Sequence, residues 1–568
     1  MTVRDPQYTP RTPAPGGHGR PPWLVPVLAV VLIAAVAAGV GGRIVGGILG
    51  GSAATSSPGQ SAVAAATQPA ASPSPVSTTG PGASATTAPA PTASPTPGAT
   101  PADVAIVPVT NFRSGRSTVK AADIREIPGG DGTYRSLVLV DADADAILTA
   151  LDVTRDELGD ALHTVASPTK LKAYLPKHRT ALAFLRADEV DESVRALAWG
   201  GAALFGVDRV GSLDAWPLVA RLTVTDGTPA YDPKTAWTMV AGGDILLDRG
   251  VALAIRAHGV HFPFDGGTVD ITGICKDCSP FGWDLPYTKR TGNKGAVRDY
   301  IKGADVAIAN FENPAPNAFR FHGSGTVFSA NPAYIKGLST VGIDWVSLAN
   351  NHIGDAGRTG MLQTIRNVAK YDIAHSGLGK NAKAAHKAAL LKVGDTTIGL
   401  LGYDAIAAAY AAGADTPGSA RLTKTALKAD IRAARKAGAD LVIVMPHWGI
   451  EYRSTPFPRQ QALARYAIDA GADMVIGNHA HWAGAMEVWD GKPIWYALGN
   501  FVFDQTWSIP TMEGITLELT FNGTDLVQAR MRPHLILDKA QPNFLDPAGA
   551  GKVVMGQVFS ASKGLLPW

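Results

Sequence analysis

Short apolar runs that end in polar residues recur along the second half of the chain. Each run follows a glycine and an acidic residue and is about as long as a strand. The four copies are residues 306–309 before Asn310 and Glu312, 345–349 before Asn350, Asn351 and His352, 441–445 before His447, and 474–476 before His479 and His481. Nearly continuous apolar runs predict strands that are buried on both faces, as in parallel sheets covered by helices. Because ligands bind at the carboxyl ends of such strands, the pattern predicts a site at one sheet edge.

Further runs extend this α/β pattern in both directions. Strands are predicted at 136–140, 180–185, 218–224, 237–241 before the Gly-Gly-Asp turn at Asp244, 396–404, and 493–499 before Asn500. Helices are predicted at 144–151, 357–371 and 423–436, and the alternating pattern of 514–521 predicts an edge strand. We therefore expect a small α/β accessory domain over residues 106–232, a main α/β domain over 235–537, and a weakly patterned tail over 538–568.

The first hundred residues have a different composition. Residues 1–22 are polar and rich in Pro and Gly, which predicts a disordered tail. Residues 23–42 are apolar and uncharged, about the ~20 residues that a membrane helix needs. The linker over 43–105 consists, from Gly51 onward, almost wholly of Ala, Pro, Ser, Thr and Gly, which predicts an extended stalk. Arginines ahead of the apolar run favour a cytoplasmic amino terminus, and a cleaved signal peptide is the alternative to an uncleaved anchor.

Charge and cysteine content narrow the functional classes. A net charge of +3 over 568 residues gives no reason to expect nucleic-acid binding. Cys275 and Cys278 form a C-x-x-C, and the sequence has no second cysteine pair that would complete a four-thiolate zinc site. In the oxidising compartment predicted here, a structural disulfide is favoured over a redox centre or half a zinc site. His163 and His178 stand apart from any motif and are interpreted as non-functional.

The residues that follow the predicted strands are of the types that bind metal ions. Carboxylates, an amide and imidazoles suit Mn²⁺, Fe or Zn²⁺. Glu312 has enough lone pairs to bridge two ions, and two ions ~3.5–4 Å apart would clamp a phosphoryl centre. On an extended segment, His479 and His481 would point to the same side. A single histidine after a strand is more often structural, and Asn350-Asn351-His352 alone could be a turn, so only the joint pattern predicts a metal site.

Taken in order, these motifs resemble the signature series of the CapA family. That family is associated with capsule and poly-γ-glutamate biosynthesis and is related to the calcineurin-like metallophosphoesterases. The segments that carry the resemblance are 243–244, 309–314, 347–352, 447–452, 477–481 and 496–504. The resemblance covers residues 235–537, where it implies a four-layer α/β/β/α metallophosphoesterase-like sandwich, and it implies nothing about residues 1–230.

The resemblance also assigns roles to individual residues. The implied metal ligands are Asp244, Glu312, Asn351, His447, His479 and His481. His352 would be the catalytic acid or base, and the implied substrate-binding residues are Asn310, Asn350, Glu451 and Asn500. Two departures are visible: Leu246 stands where the phosphoesterases have the histidine of Asp-x-His, and Ala480 replaces the proline of Gly-x-His-Pro-His. The first departure removes one ligand, so we expect either one divalent ion or a weaker pair.

The function implied is that of a single-pass membrane protein whose bulk is extracytoplasmic and which takes part in capsule or poly-γ-glutamate-type polymer synthesis. Its chemistry would be metal-dependent hydrolysis or transfer at a phosphoester or similarly activated linkage. The expected partners are a surface polymer or its lipid-linked precursor, other capsule-synthesis membrane proteins, and the membrane itself through the amino-terminal helix. The alternative is a non-catalytic module that binds or assembles the polymer and reuses the same fold.

Overall fold

The computed structural model describes residues 98–225 and 231–568. These residues belong to one compact unit, which spans Ala93–Trp568. The predicted tail over 1–22, the membrane helix over 23–42 and nearly all of the stalk lie outside the described residues. Across the ranges that are described, no helix combines the length and the apolar character needed to cross a membrane.

The first part of the described chain is a small α/β domain. Its strands are β1 (Ala99–Asn111), β2 (Thr118–Val119), β3 (Ser136–Val140), β4 (Leu162–Val165), β5 (Ala181–Arg186), β6 (Val194–Ala196), β7 (Ala198–Trp199) and β8 (Val219–Thr225). Its helices are α1 (Ala121–Arg125), α2 (Ala144–Leu151), α3 (Arg155–Leu158) and α4 (Pro168–Tyr174). The main sheet has the order β4-β3-β5-β1-β6, and β8 pairs with the first half of β1.

The start of this domain differs from the prediction. Strand β1 begins at Ala99, so residues 99–105 are not part of the stalk. They pair in antiparallel register with β8, from Ala99 opposite Thr225 to Ala105 opposite Val219. Composition alone could not show this, because the backbone hydrogen bonds that order these residues come from a strand more than a hundred residues later.

The second part contains two larger sheets. Its strands are β9 (Ala236–Ile245), β10 (Thr268–Cys275), β11 (Leu285–Gly292), β12 (Val306–Phe311), β13 (Trp345–Ser347), β14 (Ala374–Ser376), β15 (Leu378–Gly379), β16 (Ala389–Val393), β17 (Thr396–Asp404), β18 (Gly418–Ser419), β19 (Leu441–His447), β20 (Met474–Ile476), β21 (Met486–Trp489), β22 (Lys492–Trp495), β23 (Asn500–Val502), β24 (Glu513–Asn522), β25 (Asp525–Leu537) and β26 (Gln541–Phe544). Its helices are α5 (Arg249–His258), α6 (Ala296–Lys302), α7 (Ile335–Val341), α8 (Gly357–Ala369), α9 (Ala382–Ala385), α10 (Lys424–Lys436), α11 (Pro458–Asp469), α12 (Ile509–Met512) and α13 (Lys552–Ala561).

The two sheets divide the predicted parallel strands between them. One sheet has the order β11-β10-β26-β25-β24-β9-β12-β13-β14, with β23 added beside β9, and β9, β12, β13 and β14 are parallel. The other has the order β16-β17-β19-β20-β22-β21, with β17, β19, β20 and β22 parallel. The four motif-bearing strands therefore come from two sheets, not from the edge of one.

The core explains the order of the layers. Apolar side chains of both sheets meet in one buried cluster that includes Met239, Ile308 and Trp345 from the first sheet and Ile443 and Trp495 from the second. The opposite face of the first sheet packs against α5, α6, α7 and α8, and that of the second against α10 and α11. Two sheets packed face to face with helices outside give an α/β/β/α arrangement, and the predicted mixed α/β class is confirmed.

One prediction about the end of the chain is wrong. Strand β24 was expected at an edge but lies in the middle of its sheet, between β25 and β9. Both of its faces are buried because the inter-sheet core covers one and the accessory domain reaches the other, where Gly206 N–H donates to Thr520 Oγ1. The tail over 538–568 is folded: it contains β26 and α13, and Arg113 of the first domain binds the carbonyl oxygens of Leu566 and Trp568.

Cys275 and Cys278 are joined by a disulfide near the tip of the β10–β11 hairpin. The disulfide predicted for this pair is therefore confirmed, and its structural role stays a prediction.

Candidate metal centre

Strands from both sheets end at a common point. Asp244 is the penultimate residue of β9, Glu312 follows β12 directly, and His447 is the last residue of β19. His479 and His481 follow β20 in the loop that begins at Gly477. All five side chains are buried. The structure thus brings together five of the six residues predicted as metal ligands, and Asn351 lies beside them.

Glu312, His447 and His479 form one group whose ligand atoms lie within 4.8 Å of one another. The distance from His447 Nε2 to Glu312 Oε1 is 3.4 Å, and that from His447 Nε2 to His479 Nδ1 is 3.1 Å. His447 Nε2 also lies 2.7 Å from Asn351 Oδ1. A carboxylate, two imidazoles and an amide oxygen therefore converge at one point, which is the donor set expected for a borderline divalent ion.

Asp244, Glu312 and His481 form a second group of the same kind. Asn500 sets the orientation of His481, because its amide nitrogen donates to Gln505 Oε1 and to the Thr511 carbonyl while its Oδ1 accepts from His481 Nδ1 at 2.8 Å. The proton on Nδ1 leaves a lone pair on Nε2, which lies 3.7 Å from Glu312 Oε1. A ring nitrogen fixed in this way by its neighbour is the usual arrangement of a metal-ligating histidine.

Glu312 belongs to both groups and is the most informative residue of the centre. It is fully buried, and neither of its carboxylate oxygens has a hydrogen-bond partner among the described residues. Burial, followed by the charges of Asp244 and Glu451, raises the pKa of Glu312 well above its ordinary value. A buried carboxylate is normally hydrogen-bonded or paired with a cation. The unsatisfied oxygens of Glu312 therefore fit a bridging metal ligand.

The other ionisable groups of the centre show the same conflict with burial. Desolvation raises the pKa of Asp244 to about 7, against hydrogen bonds from Asn310 and the His479 backbone that lower it. Burial also lowers the pKa of His479 to about 3, and it lowers the pKa of His447 and of His481 well below the ordinary value. Without a cation, burial therefore disfavours both the ionised carboxylates and the charged imidazoles. A bound cation would stabilise the ionised carboxylates and bind the lone pairs of the neutral imidazoles.

The backbone around these ligands is unusual. A Cβ on Gly243 would lie 1.9 Å from the Gly499 carbonyl oxygen, so only glycine allows β9 to pass this close to the loop before β23. His479 and His481 have φ values of 92° and 57°, and Tyr452 has 63°. The segment was predicted to be extended, which is wrong; the two imidazoles reach the cluster through left-handed turns. Such conformations cost energy in non-glycine residues and are concentrated at functional sites.

His352, the predicted acid or base, lies at the edge of this cluster and is partly exposed. Its Nδ1 lies 3.0 Å from Asp355 Oδ2, and its ring packs 4.1 Å from the ring of Phe328, measured between centroids. Asp355 also accepts a hydrogen bond from the Phe328 backbone N–H. A carboxylate that binds Nδ1 fixes the ring and leaves Nε2 for proton transfer, as a general acid or base requires.

Three residues predicted to bind substrate have a different environment. Asn310, Asn350 and Asn500 are all fully buried. Asn310 Nδ2 donates to Asp244 Oδ1 at 2.7 Å and lies 3.2 Å from His447 Nδ1, so it positions two ligands. Asn350 Nδ2 donates to the Phe311 carbonyl oxygen. These contacts give the three asparagines a positioning role in place of the predicted contact with substrate. Glu451, the fourth residue predicted to bind substrate, is exposed beside the cluster, where a substrate can reach it.

Leu246 occupies an apolar environment in place of the missing histidine. It is fully buried and packs in a small cluster with Phe328, Phe503 and Ile536. Phe503 in turn lies 5.0 Å from the ring of His481. The group of Asp244, Glu312 and His481 therefore has an apolar wall on the side of Leu246 and Phe503.

Two residues of the site were not found from the sequence. Asp355 lies three residues after His352, and the two side chains meet because the chain forms a turn between them. The guanidinium carbon of Arg249 lies 4.8 Å from the centroid of the Phe328 ring, and Arg249 forms an ion pair with Asp504. Its buried Nε has no hydrogen-bond partner among the described residues. Its charge acts on both Glu312 and His481. The one available signal was its place at the start of α5, five residues after Asp244.

Comparison with known proteins agrees with this geometry. Residues 238–505 match the model of the bacterial capsule synthesis protein family PGA_cap. The capsule biosynthesis protein CapA of Bacillus anthracis is 32% identical over 279 residues, which are 48% of this chain and 61% of that protein. The PGA biosynthesis protein CapA of Bacillus subtilis is 36% identical over 230 residues, which are 39% of this chain and 60% of that protein. The chain therefore spans about three fifths of the length of these two relatives.

A solved structure was also compared. The calcineurin-like phosphoesterase YfkN from Bacillus subtilis is 11% identical, covers 58% of this chain and 98% of that chain, and has a TM-score of 0.31. This likeness is too distant to carry an argument about the site. The family match, by contrast, contains Asp244, Glu312 and all three histidines of the cluster. Residues 238–505 of this chain therefore resemble the CapA proteins of bacterial capsule synthesis.

Proposed function

We propose that this chain is a membrane-anchored, extracytoplasmic protein of surface-polymer synthesis that hydrolyses or transfers a phosphoester or similarly activated linkage at a divalent metal centre. The apolar segment over 23–42 supports the anchor, and the CapA relatives support a capsule or poly-γ-glutamate-type polymer. The substrate would be the polymer or its lipid-linked precursor. The other partners would be membrane proteins of the same synthesis.

The observation that carries the catalytic part of the proposal is the environment of Glu312. Neither of its two buried oxygens has a hydrogen-bond partner among the described residues, and three imidazoles and a second carboxylate surround them. Divalent Mn, Fe or Zn suits this mixture of donors, and Glu312 belongs to both ligand groups. The chemistry that such ions supply is activation of a water molecule and neutralisation of charge on a phosphoryl group.

The residues around the centre have separate tasks. Asn310 and Asn500 hold His447 and His481 in place. His352, held by Asp355, donates a proton from Nε2 to the leaving oxygen. Arg249 is cationic and lies beside the centre, where its charge acts on Glu312 and His481, so we assign it to the binding of an anionic group of the substrate.

The test is metal content and hydrolysis measured on the same preparations. The purified chain is reconstituted with Mn²⁺ or Zn²⁺, analysed for bound metal, and assayed with bis-p-nitrophenyl phosphate. We expect one or two ions per chain and hydrolysis, both lost in the His479→Ala/His481→Ala variant. The matched control is His258→Ala/His261→Ala, which removes two exposed histidines of the same domain. Full metal content in the first variant would overturn the assignment of the ligands.

A second candidate is a non-catalytic module that binds or assembles the polymer. The apolar surroundings of Leu246 favour it, since they leave one ligand group with three donors. The same preparations decide between the two functions. A chain that stays free of metal after reconstitution supports the module and contradicts the catalytic proposal.

A further inference from the structure

A series of aromatic rings leads from the metal-ligand cluster to the surface. The ring of Tyr452 stacks on His481 with 6.1 Å between centroids, and Trp507 lies 5.2 Å from Tyr452. Trp507 is followed by Phe281 at 5.9 Å and Trp283 at 6.0 Å. We call Tyr452, Trp507, Trp283 and Phe281 the aromatic track. Its inner end is at a candidate ligand, and its outer end is in solvent.

The outer rings are unusually exposed. Phe281 is 59% and Trp283 43% exposed, although large apolar side chains are normally buried. Exposed aromatic residues that form a contiguous patch beside the metal-ligand cluster are typical of an interaction surface.

The loop that carries these rings is firmly held. Ser279 is buried, and its Oγ accepts hydrogen bonds from the backbone N–H groups of Phe281 and Trp283 at 3.2 and 2.9 Å. Its own N–H donates to the Trp283 carbonyl oxygen. The disulfide between Cys275 and Cys278 and the ion pair between Lys276 and Asp284 close the same loop. A ligand would therefore meet rings that are already ordered, which lowers the entropic cost of binding.

The chemistry of the track favours one class of ligand. The faces of aromatic rings are electronegative, so they repel carboxylates and attract C–H groups that carry a partial positive charge. A pyranose ring offers such C–H groups on its faces and hydroxyl groups around its rim. Glu451 is exposed next to Tyr452, and Gln505 hydrogen-bonds the Tyr452 hydroxyl, so polar groups border the rings. A polyanionic peptide has no flat apolar face to place there.

We propose that the aromatic track binds the sugar rings of a glycan chain and guides that chain to the metal centre. This inference rests on the proposed function, and it makes a glycan one of the substances on which the centre acts. Trp283 and Phe281 bind the part of the chain that is farther from the reacting linkage, and Trp507 and Tyr452 bind the nearer part.

The test measures binding of the full chain to an immobilised panel of bacterial capsular polysaccharides, peptidoglycan fragments and teichoic acids, with poly-γ-glutamate alongside. We expect at least one glycan to bind and to quench tryptophan fluorescence in solution. In Phe281→Ala/Trp283→Ala, affinity for that glycan falls roughly tenfold or more, and Trp283→Phe alone retains most of it. Both changes are at exposed positions, and thermal melting checks that the variants are folded. The control is Val553→Ala, which removes an exposed apolar side chain on α13.

Repeating the measurement with EDTA and with His479→Ala/His481→Ala separates this inference from the proposed function. Glycan binding should persist under both conditions, since the track does not contain the metal ligands. A parent chain that binds the glycan but takes up no metal and hydrolyses nothing after reconstitution would overturn the catalysis and retain the track. Failure of every glycan to bind, or unchanged binding in the double variant, overturns the track. Binding of poly-γ-glutamate alone, weakened by salt and not by the aromatic substitutions, overturns it as well, in favour of an ionic surface.

Discussion

Glu312 Oε1 lies 3.4 Å from His447 Nε2, and no described donor hydrogen-bonds either oxygen of this buried carboxylate. The two residues come from different sheets, since Glu312 follows β12 and His447 ends β19. The contact between Glu312 and His447 therefore joins the two sheets of the sandwich at the candidate metal centre. Without a cation, this contact destabilises the folded protein, because desolvation raises the pKa of the Glu312 carboxyl and lowers the pKa of the His447 imidazole.

Replacing Glu312 by Gln should therefore have opposite effects with and without metal. In EDTA, Glu312→Gln melts at the same temperature as the parent or higher, because a neutral amide is less costly to bury than a carboxylate. With Mn²⁺ at a hundred times its Kd, the parent gains about 2.7 kcal/mol and the variant less than half of that. Glu126→Gln, the same change at an exposed residue of the accessory domain, should behave as the parent does. Equal stabilisation of parent and Glu312→Gln by Mn²⁺ would show that Glu312 is not a ligand.

The pair of His352 and Asp355 predicts a loss of rate without a loss of metal. Asp355→Asn keeps a hydrogen-bond acceptor near Nδ1 but removes the charge that stabilises the imidazolium form. We expect kcat for an aryl phosphodiester to fall by about 10²-fold or more, with metal content unchanged, and His352→Ala to have a similar effect. The double variant should be no slower than His352→Ala, because the two residues act as one unit.

Tyr410→Phe is the control for that experiment. It removes only a long contact, 3.5 Å from the Tyr410 hydroxyl to Asp355 Oδ1, and should leave kcat nearly unchanged. A kcat of Asp355→Asn within threefold of the parent would contradict the proton-transfer role of His352.

The close approach at Gly243 predicts that the metal centre does not tolerate a methyl group there. In Gly243→Ala, the added Cβ would overlap the Gly499 carbonyl oxygen, so β9 must move away from β23 and take Asp244 with it. We expect a loss of about 1–3 kcal/mol in the free energy of unfolding, measured in urea, and weaker metal binding. Gly556→Ala in α13, where nothing lies within 4 Å of the added atom, should be neutral or stabilising. Wild-type metal affinity in Gly243→Ala would show that Asp244 does not depend on this contact.

The sequence predicted the residues that cluster at the candidate metal centre because each follows an apolar run whose length and burial are local properties. It could not predict which runs share a sheet, since β12 and β19 look alike and only long-range pairing separates them. The same reason explains β24, whose alternation is typical of an edge strand. Its neighbours β9 and β25 bury it from both sides.

The residues that support the ligands were harder to predict. The resemblance implied that Asn310 and Asn500 bind substrate, whereas in the structure both are buried and hydrogen-bond the candidate ligands. In the structure, the orientation of His481 depends on the two donations that fix the Asn500 amide. Arg249 and Asp355 depend on turns that no periodic pattern reveals. Sequence patterns therefore found the residues of the candidate metal centre, but the folded structure was needed to find the groups that orient them.

The last prediction concerns His534, a fully buried histidine behind the centre. Its Nε2–H donates to the Asn500 carbonyl oxygen at 2.8 Å, and its Nδ1 lies 3.1 Å from Thr516 Oγ1. Burial lowers the pKa of His534 to about 4, whereas a histidine in the unfolded chain has a pKa of about 6.5. Below about pH 6.5 the unfolded chain therefore binds more protons than the folded one. His534 thus makes stability fall as the pH falls from about 6.5 towards 4, and it has no such effect above that window.

Removing the imidazole should flatten this dependence. Between pH 7.5 and 4.5, the parent in EDTA should lose about 2 kcal/mol more free energy of unfolding than His534→Gln does. The variant is less stable at pH 7.5, because the glutamine does not reproduce both hydrogen bonds, so the slope is the informative quantity. His447, His479 and His481 titrate in the same direction in both proteins and cancel in the difference. His163→Gln, at an exposed histidine, should keep the slope of the parent. Parallel pH profiles for the parent and His534→Gln would show that His534 remains neutral in the unfolded chain or becomes charged in the folded one, and either result contradicts the effect of burial argued here.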